Sequence, residues 1–416
     1  MKSQIKIIIL LFYCCISGNA LLGKPITNYK MEITQKSISN FQVKLDILLK
    51  DNYCSGDTIT ISFGGIFFEE EGESFDAVQN LVIKSKKKIP FIFDRKTSEI
   101  KICKKDITQN KISLEYGFYF IMNVSRDTTV TLFYNGMEKP IPVIKNIDNV
   151  HYSAKIKTLK NFICLSNISN KSKYTDIQNV AFCFVDTSHI TQKHFETKYC
   201  DVNIFVRNGI FAENDFNILK KKMRDCFDYF SNNINPYSFK NFNLVEWDSW
   251  SGSTYLGSVA CVHKSDFKTY TLFHEIAHEW IGRQVKIKDK SKGEYLLKES
   301  LNDYLTVQFL KYEEGDSLYQ VQIKNYIDGY NEYLAQNENI SIWDVAKYVH
   351  STHAIIMYKQ VILLDELAQK VGYDKLNSVI FDFLRKSIGK EIEITQFLNL
   401  LKEKFGNPAI DYCTKI

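Results

Sequence analysis

Residues 271–280 read TLFHEIAHEW and hold two of the chain's eight histidines, four residues apart. In an α-helix His274 and His278 lie on the same face, so their imidazoles can bind one zinc ion at about 2.0–2.1 Å. Glu275 is rotated from that face by about a quarter turn, where it can take a proton from a water and pass it to a leaving amine. The segment is apolar at residues 272, 273, 276, 277 and 280, which predicts a buried helix, where paired histidines need partners. The segment therefore predicts a zinc site.

A catalytic zinc site usually has three protein ligands and one open position. We expect the third ligand to be Glu299, in the amphipathic stretch LLKESLNDYL that follows a polar turn. Glu294 and Glu279 are the alternatives, but Glu294 lies where the second helix would begin and Glu279 points elsewhere on the first helix. Asp303 is four residues after Glu299 on the same face, and we expect it to accept the free ring N–H of His274.

The composition is that of a folded protein without an obvious polyanionic partner. The chain has 416 residues, 45% of them hydrophobic and 14% aromatic, which excludes a disordered chain and allows two or three domains. The formal charge of +5 is small, and the lysines are spread along the chain. Neither a nucleic acid nor an anionic membrane is therefore indicated as a partner.

The N-terminus predicts export. An apolar run from Ile5 to Ile16 is followed by small residues, which is typical of a signal peptide covering residues 1–20 with cleavage after Ala20. No later segment approaches the roughly 18–20 apolar residues of a membrane span. We expect a secreted protein, or one of a periplasmic or secretory compartment. Eight cysteines remain after cleavage, and their even number suggests disulfide bonds.

The pattern of the chain changes near residue 203. Between Asn28 and Phe205, short alternating or β-branched runs predict strands, typical of a sandwich or a curved antiparallel sheet. After Arg207 the apolar residues recur at helical spacing. The sequence predicts an α+β protein with an all-β domain at residues 21–202 and a mainly helical domain at residues 203–416.

Several motifs resemble those of the aminopeptidase N family of gluzincin zinc metallopeptidases. HEIAHEWIG resembles the family's H-E-x-x-H segment, YLLKESLNDYL its W-L-x-E-like helix, and MYKQVILLDELAQKVGYDKL the helix that begins with its tyrosine motif. The resemblance is specific from about residue 210 to 385. It implies a thermolysin-like catalytic domain after a saddle-like β domain, one zinc ion, and a peptide or protein substrate. It also implies His274, His278 and Glu299 as ligands and Glu275 as the base.

The family's G-x-M-E-N stretch, whose glutamate binds the substrate's amino terminus, falls on SGSTYLG. Thr254 and Tyr255 occupy that region and offer no fixed negative charge. Glu246 and Asp248 are the nearby acids that could replace it. Without such an acid, internal peptide bonds become possible targets.

The family's Y-x-K-G motif supplies a tyrosine that stabilises the oxyanion. An ungapped alignment places Met357 in that column, and a shift of one residue would make Tyr358 the donor. Tyr348, His350 and His353 are possible replacements.

The sequence also ends soon after these helices, which predicts a short, divergent member with an open cleft. We expect an aminopeptidase-like zinc peptidase that uses a metal-activated water. The alternatives are an endopeptidase and a catalytically weakened peptide-binding protein that keeps the zinc site.

Overall fold

The structure is a computed structural model that describes most of the chain. The described residues are 27–50, 57–63, 67–70, 73–76, 78–94, 97–119, 125, 129–134, 141–145, 150–166, 181–209, 212–248, 252–255, 259–267, 269–288, 291–345 and 353–416. These residues belong to two compact units. The first takes its residues from 1–123, 133–160 and 168–180, and the second takes them from 124–132, 161–167 and 181–416.

Strands predominate in the first half of the chain. They are β1 Thr27–Gln35, β2 Asn40–Leu48, β3 Thr58–Ser62, β4 Phe67–Glu70, β5 Glu73–Asp76, β6 Val78–Lys84, β7 Ile92–Asp94, β8 Glu99–Cys103, β9 Lys111–Tyr119, β10 Val130–Tyr134, β11 Val143–Ile144, β12 Val150–Lys157, β13 Phe162–Leu165, β14 Ala181–Asp186, β15 Ile190–Glu196 and β16 Asp201–Arg207. Later strands are β17 Asn241–Glu246, β18 Gly252–Tyr255, β19 Val259–Val262, β20 Lys286–Ile287 and β21 Glu391–Ile392.

Helices predominate in the second half. They are α1 Glu213–Asn233, α2 Tyr270–Ala277, α3 Leu301–Glu314, α4 Asp316–Leu334, α5 Gln360–Val371, α6 Tyr373–Lys386, α7 Ile394–Phe405 and α8 Asn407–Lys415. Two π-helical turns, Leu296–Ser300 and Ala354–Lys359, precede α3 and α5, and short 3-10 turns cover Lys104–Asp106 and Lys264–Asp266. None of the helices in the described part of the chain is long and apolar enough to cross a membrane.

The first unit contains a five-stranded sheet in the order β12-β1-β2-β9-β6 and a four-stranded sheet in the order β11-β3-β8-β7. Alternate residues of β1 and β2 are buried, as expected for strands with one face on a core. The two sheets meet through the rings of Phe63 and Tyr116, 5.3 Å apart, and through the Ile144 N–H, which donates to the Tyr29 hydroxyl. The five-stranded sheet is mixed rather than antiparallel, because β1 is parallel to β12.

The second unit contains a five-stranded sheet in the order β15-β16-β17-β19-β18. β16 and β17 are parallel, which requires a crossover, and α1 supplies it. β15, which precedes the boundary predicted near residue 203, pairs with β16 in this sheet. The helices after β19 share one apolar core with the sheet. The α+β fold class predicted from the sequence is confirmed.

The seven described cysteines are free thiols: Cys103, Cys164, Cys183, Cys200, Cys226, Cys261 and Cys413. The expected disulfide bonds therefore find no support among the described residues. Cys200 and Cys226 lie in the apolar core, whereas Cys103 is exposed on β8. Cys54 and the predicted signal peptide lie outside the described residues.

Candidate metal centre

Helix α2 carries both histidines of the H-E-x-x-H motif. Its apolar side, which includes Phe273 and Ile276, is fully buried in the core of the second unit. His274 lies inside the helix and His278 is its C-terminal cap, still in helical conformation with its N–H directed to the His274 carbonyl. The two imidazoles are thus one turn apart on one face, as the motif predicts.

Trp280 fixes the chain just after α2. Its ring is fully buried, stacks on Phe230 at 5.4 Å and meets Phe227 and Tyr237 at 5.8 and 5.6 Å. Its indole N–H donates to the Asn235 carbonyl at 2.6 Å. This anchoring fixes the turn that follows His278. The Ile281 carbonyl in that turn is the hydrogen-bond partner of the His278 imidazole.

Glu299 comes from the π turn that precedes α3. Single π turns inside helices are frequent at functional sites, because they redirect one side chain without ending the helix. The following residues attach α3 to α2: the Asn302 amide donates to the His274 carbonyl at 2.9 Å, and Asp303 lies against the His274 ring. Every residue of α3 from Leu301 to Phe309 is buried, so the helix has little freedom to shift.

Three ligand atoms converge between α2 and the π turn. The Nε2 atoms of His274 and His278 are 3.0 Å apart, and the Glu299 Oε2 lies 3.5 and 3.4 Å from them. Within the described residues, this trio is the group of histidine, cysteine or acidic side chains suited to holding a metal ion.

Hydrogen bonds on the far side of each ring direct the Nε2 lone pairs inward. His274 Nδ1 lies 2.6 Å from the Asp303 carboxylate, and His278 Nδ1 lies 3.3 Å from the Ile281 carbonyl. The Ile281 carbonyl can only accept, so the neutral His278 ring carries its proton on Nδ1. An ionised Asp303 carboxylate has the same effect on His274, and both Nε2 atoms are then unprotonated. Two lone pairs and a carboxylate then face one point without a donor between them. A divalent cation satisfies all three, and two imidazoles with one carboxylate are a donor set that suits zinc.

Charge coupling within the trio is strong. Burial opposes ionisation of Glu299, but the adjacent His278 and His274 hold its pKa well below the usual range. Burial lowers the pKa of His278, but the carboxylates of Glu299 and Glu275 together raise it by more, so that the net pKa lies above its ordinary value. Asp303 is fully buried, and this burial raises its pKa well above the usual range.

A cavity of about 540 Å³ opens onto this trio. Glu275 is on its wall and is itself buried, one residue from the His274 ligand position. The other lining residues are mainly aromatic or polar: Tyr270, Thr271, His274, Tyr295, Glu299, Asp303, Gln322, Tyr326, His353, Ile356, Met357 and Tyr358. A base, a metal-type donor set and several hydroxyl groups therefore share one cleft.

The two alternative ligands are engaged elsewhere. Glu279 is fully buried and accepts a hydrogen bond from the Tyr237 hydroxyl at 3.3 Å. Glu294 pairs with Lys298 at 2.8 Å. The structure thus brings Glu299, and neither of these two acids, to the histidines.

Of the candidate oxyanion donors, Tyr358 and His353 both line the cavity. Burial and the nearby His274 lower the pKa of His353, which favours the neutral ring. Met357 also lines the cavity but offers no donor. Tyr348 and His350 lie outside the described residues.

The acids considered for the substrate's amino terminus are paired with Arg207. Glu246 accepts from the Arg207 backbone N–H at 2.9 Å, and Asp248 lies 3.3 Å from the guanidinium. Neither is among the described residues that line the cavity. Thr254 and Tyr255 belong to the edge strand β18.

Three further tyrosines line the cavity without having been predicted from the sequence as site residues: Tyr270, Tyr295 and Tyr326. Tyr326 comes from α4, a helix that was not among the predicted elements. Its stripe Tyr319, Ile323, Tyr326, Tyr330 has spacings of three and four and could have revealed it.

The comparisons with known proteins concern the fold. No protein-family model matches the sequence, and no curated protein matches it either. Solved structures do match. An M1 zinc metallopeptidase from Deinococcus radiodurans has a TM-score of 0.68 and 10% identity, over 94% of this chain and 93% of that one.

Two longer proteins match nearly as well. Aminopeptidase A of Legionella pneumophila, in complex with aspartic acid, has a TM-score of 0.64 and 12% identity, over 94% of this chain and 48% of its own. Yeast LTA4 hydrolase in complex with bestatin has a TM-score of 0.65 and 11% identity, over 94% of this chain and 66% of its own. The chain therefore has the two-domain fold of the M1 zinc metallopeptidases.

Proposed function

We propose that this chain is a secreted zinc-dependent metallopeptidase with aminopeptidase-like activity. The observation that carries the proposal is the convergence of His274 Nε2, His278 Nε2 and Glu299 Oε2 beside the buried Glu275. A structural zinc site closed by four protein ligands has no use for a base at that position. The fold shared with M1 zinc metallopeptidases supports the same chemistry, and the predicted signal peptide supports export.

Each residue has a defined task in the proposed reaction. His274, His278 and Glu299 would hold the zinc, and Asp303 would keep the His274 ring in the tautomer that binds metal. Zinc, when bound, supplies Lewis acidity that makes a water nucleophilic near neutral pH and polarises the peptide carbonyl. Glu275 takes the proton from the attacking water and delivers it to the leaving amine. Tyr358 donates a hydrogen bond to the oxygen that becomes negative.

The charge of the cavity favours an amino-terminal substrate. Its described lining includes the acids Glu275, Glu299 and Asp303 but no lysine or arginine. The absence of a positively charged side chain from this described lining favours a free α-amino group there over a carboxylate. A Deinococcus relative of the same fold has been solved with a Tyr-Ser-Ala substrate, which shows that this fold can hold a short peptide.

Two alternatives rest on specific observations. Because Arg207 pairs with Glu246 and Asp248, neither acid is free to bind an amino terminus, and this favours an endopeptidase. The methionine in the tyrosine column favours a weakened enzyme that binds peptides, with Tyr358 one residue away.

The test uses the mature chain, a mixed peptide library and mass spectrometry, with and without a zinc chelator. We expect stepwise loss of N-terminal residues that stops when the chelator is present. Internal cuts would favour the endopeptidase, and zinc-loaded protein without chelator-sensitive products would favour the binding protein. Glu275→Gln is the matched variant, since it keeps the side-chain shape and loses the base. It should retain zinc and lose turnover by about 10²–10⁴-fold.

A further inference from the structure

Tyr358 is enclosed by residues that no catalytic motif identifies. Its ring stacks on Tyr326 of α4 with centroids 5.5 Å apart and planes inclined by 26°. The His353 ring meets its edge at 5.1 Å with an interplanar angle of 83°. Tyr358 is therefore held between its own π turn and helix α4.

Gly329 of α4 provides the space for this ring. A Cβ atom added at Gly329 would lie 2.7 Å from Tyr358 Cε2, 3.1 Å from Cδ2 and 3.3 Å from Cζ. A distance of 2.7 Å is below any normal carbon–carbon contact. Any side chain at position 329 would therefore force the Tyr358 ring to move.

Backbone conformation does not explain this glycine. Gly329 lies within α4 and does not have the positive φ that the chain's turn glycines show. Glycine is one of the poorest helix formers, and alanine is the best. The close approach of Tyr358 accounts for glycine at a position where the helix itself favours alanine.

Tyr358 lies in the π turn Ala354–Lys359. A π turn closes its hydrogen bonds over one more residue than an α turn, so the side chains inside it take other angular positions than they would in a regular helix. One residue is also the difference between Met357, in the family's tyrosine column, and Tyr358. The Ser300 hydroxyl, next to Glu299, donates to the Ile356 carbonyl at 2.6 Å and ties this turn to the one that carries the metal-type ligand.

We propose that Gly329 is a positioning residue for Tyr358, and that its missing side chain allows α4 to hold the phenol at the cavity wall. This inference rests on the proposed peptidase function for its catalytic consequence. The packing itself does not depend on that function.

Stability gives a test that needs no activity. Gly329→Ala should lower the Tm of the full chain, because the methyl group displaces the Tyr358 ring. In a Tyr358→Ala background the same change should instead raise the Tm, by about 2–4 °C, because only the helix preference remains. The control is Asn331→Ala, an exposed position of α4, whose effect should have the same sign in both backgrounds. An equal effect of Gly329→Ala in both backgrounds would overturn the proposal.

Kinetics test the catalytic part. Gly329→Ala should lower kcat at least about tenfold with little change in KM or zinc content, as expected when a transition-state contact is lost. In a Tyr358→Phe background, which keeps the ring but lacks the hydroxyl, Gly329→Ala should cause no further loss. Equal losses in both backgrounds would show that Gly329 does not act through the hydroxyl.

The two tests also separate this proposal from the proposed function. A reversed Tm effect in a protein without peptidase activity would support the positioning and refute the peptidase. Unchanged stability and kcat in an active enzyme would refute the positioning alone.

Discussion

The two π turns of the second unit form an instructive pair. Leu296–Ser300 carries Glu299, and Ala354–Lys359 carries Tyr358. Glu299 is anchored by the residues that follow it on the same helix, where Asn302 and Asp303 bond His274. Tyr358 is anchored by Gly329 and Tyr326 of α4. One site residue is therefore fixed by local sequence, and the other by a separate helix.

This difference explains why the sequence predicts Glu299 and its supporting acid but does not predict the packing around Tyr358. Helical spacing places a ligand and its supporting acid on one face, so a single stretch of sequence identifies both. Ring packing against another helix imposes no fixed spacing.

Removing the carboxylate ligand should have the largest effect. Glu299→Ala leaves two imidazoles without the anion that holds them together, and we expect loss of both stoichiometric zinc and peptide hydrolysis. Metal content after dialysis measures the first effect. Glu294→Ala is the matched control, because Glu294 pairs with Lys298 and does not reach the trio. Full zinc in the Glu299→Ala protein would refute its assignment as a ligand.

Removing the tyrosine hydroxyl should have the next largest effect. Tyr358→Phe keeps the stacking with Tyr326 and should lower kcat by about 10²–10³-fold, the usual cost of losing one oxyanion donor. Zinc content should stay unchanged. If kcat is also unchanged, the donor is another group, and His353→Phe is the variant to measure next.

Replacing the acid behind His274 should have a smaller effect. Asp303→Asn keeps the shape but weakens the acceptor of the Nδ1–H, and we expect a 10–100-fold loss of zinc affinity, about the usual cost for such partners. Competition with a metal indicator measures it. Asp316→Asn, on an exposed residue of α4, should leave the affinity unchanged.

Zinc affinity should also depend on pH through His278. Its pKa is raised above 6.5 in the metal-free protein, because the carboxylates of Glu299 and Glu275 together outweigh burial. Below that raised pKa zinc must displace a proton, so the affinity should fall by about tenfold per pH unit. An affinity that stays constant from pH 8 to pH 5 would contradict the arrangement of the trio.

The smallest expected effect concerns the metal-free protein. The raised pKa of His278 stabilises the fold below pH 6.5, and this contribution is lost as the pH rises through the raised value. The lowered pKa of Glu299 stabilises it above pH 4.5, and this is lost as the pH falls through the lowered value. The two contributions are both fully present between pH 4.5 and pH 6.5, and the stabilisation by the pair should be largest there. The free energy of unfolding as a function of pH, measured with chelator for the chain and for its Glu299→Gln variant, gives this contribution.

Much of the geometry of the candidate metal centre was predictable, because it depends on short spacings. The H-E-x-x-H motif and the four-residue step from Glu299 to Asp303 both follow helical geometry. The fold class followed from the change of hydrophobic period. The pairing of Arg207 with Glu246 was not predictable, since it depends on the parallel register of β16 and β17, about 40 residues apart.

Helix α4 shows the other limit. Its buried stripe is built from tyrosines, which also occur in strands, so the stripe is a weak helix signal. The need for glycine at position 329 arises from its contact with the Tyr358 ring, which comes from a distant segment of the chain. The spacing of apolar residues along the chain does not reveal such a contact.

Diffraction from zinc-loaded crystals at the zinc absorption edge tests the metal centre most directly. We expect one anomalous peak at about 2.0–2.2 Å from His274 Nε2, His278 Nε2 and a Glu299 oxygen, which are normal zinc distances. A peak bound through either Nδ1 atom, or one elsewhere with the trio empty, would contradict the proposed zinc site and the peptidase function built on it.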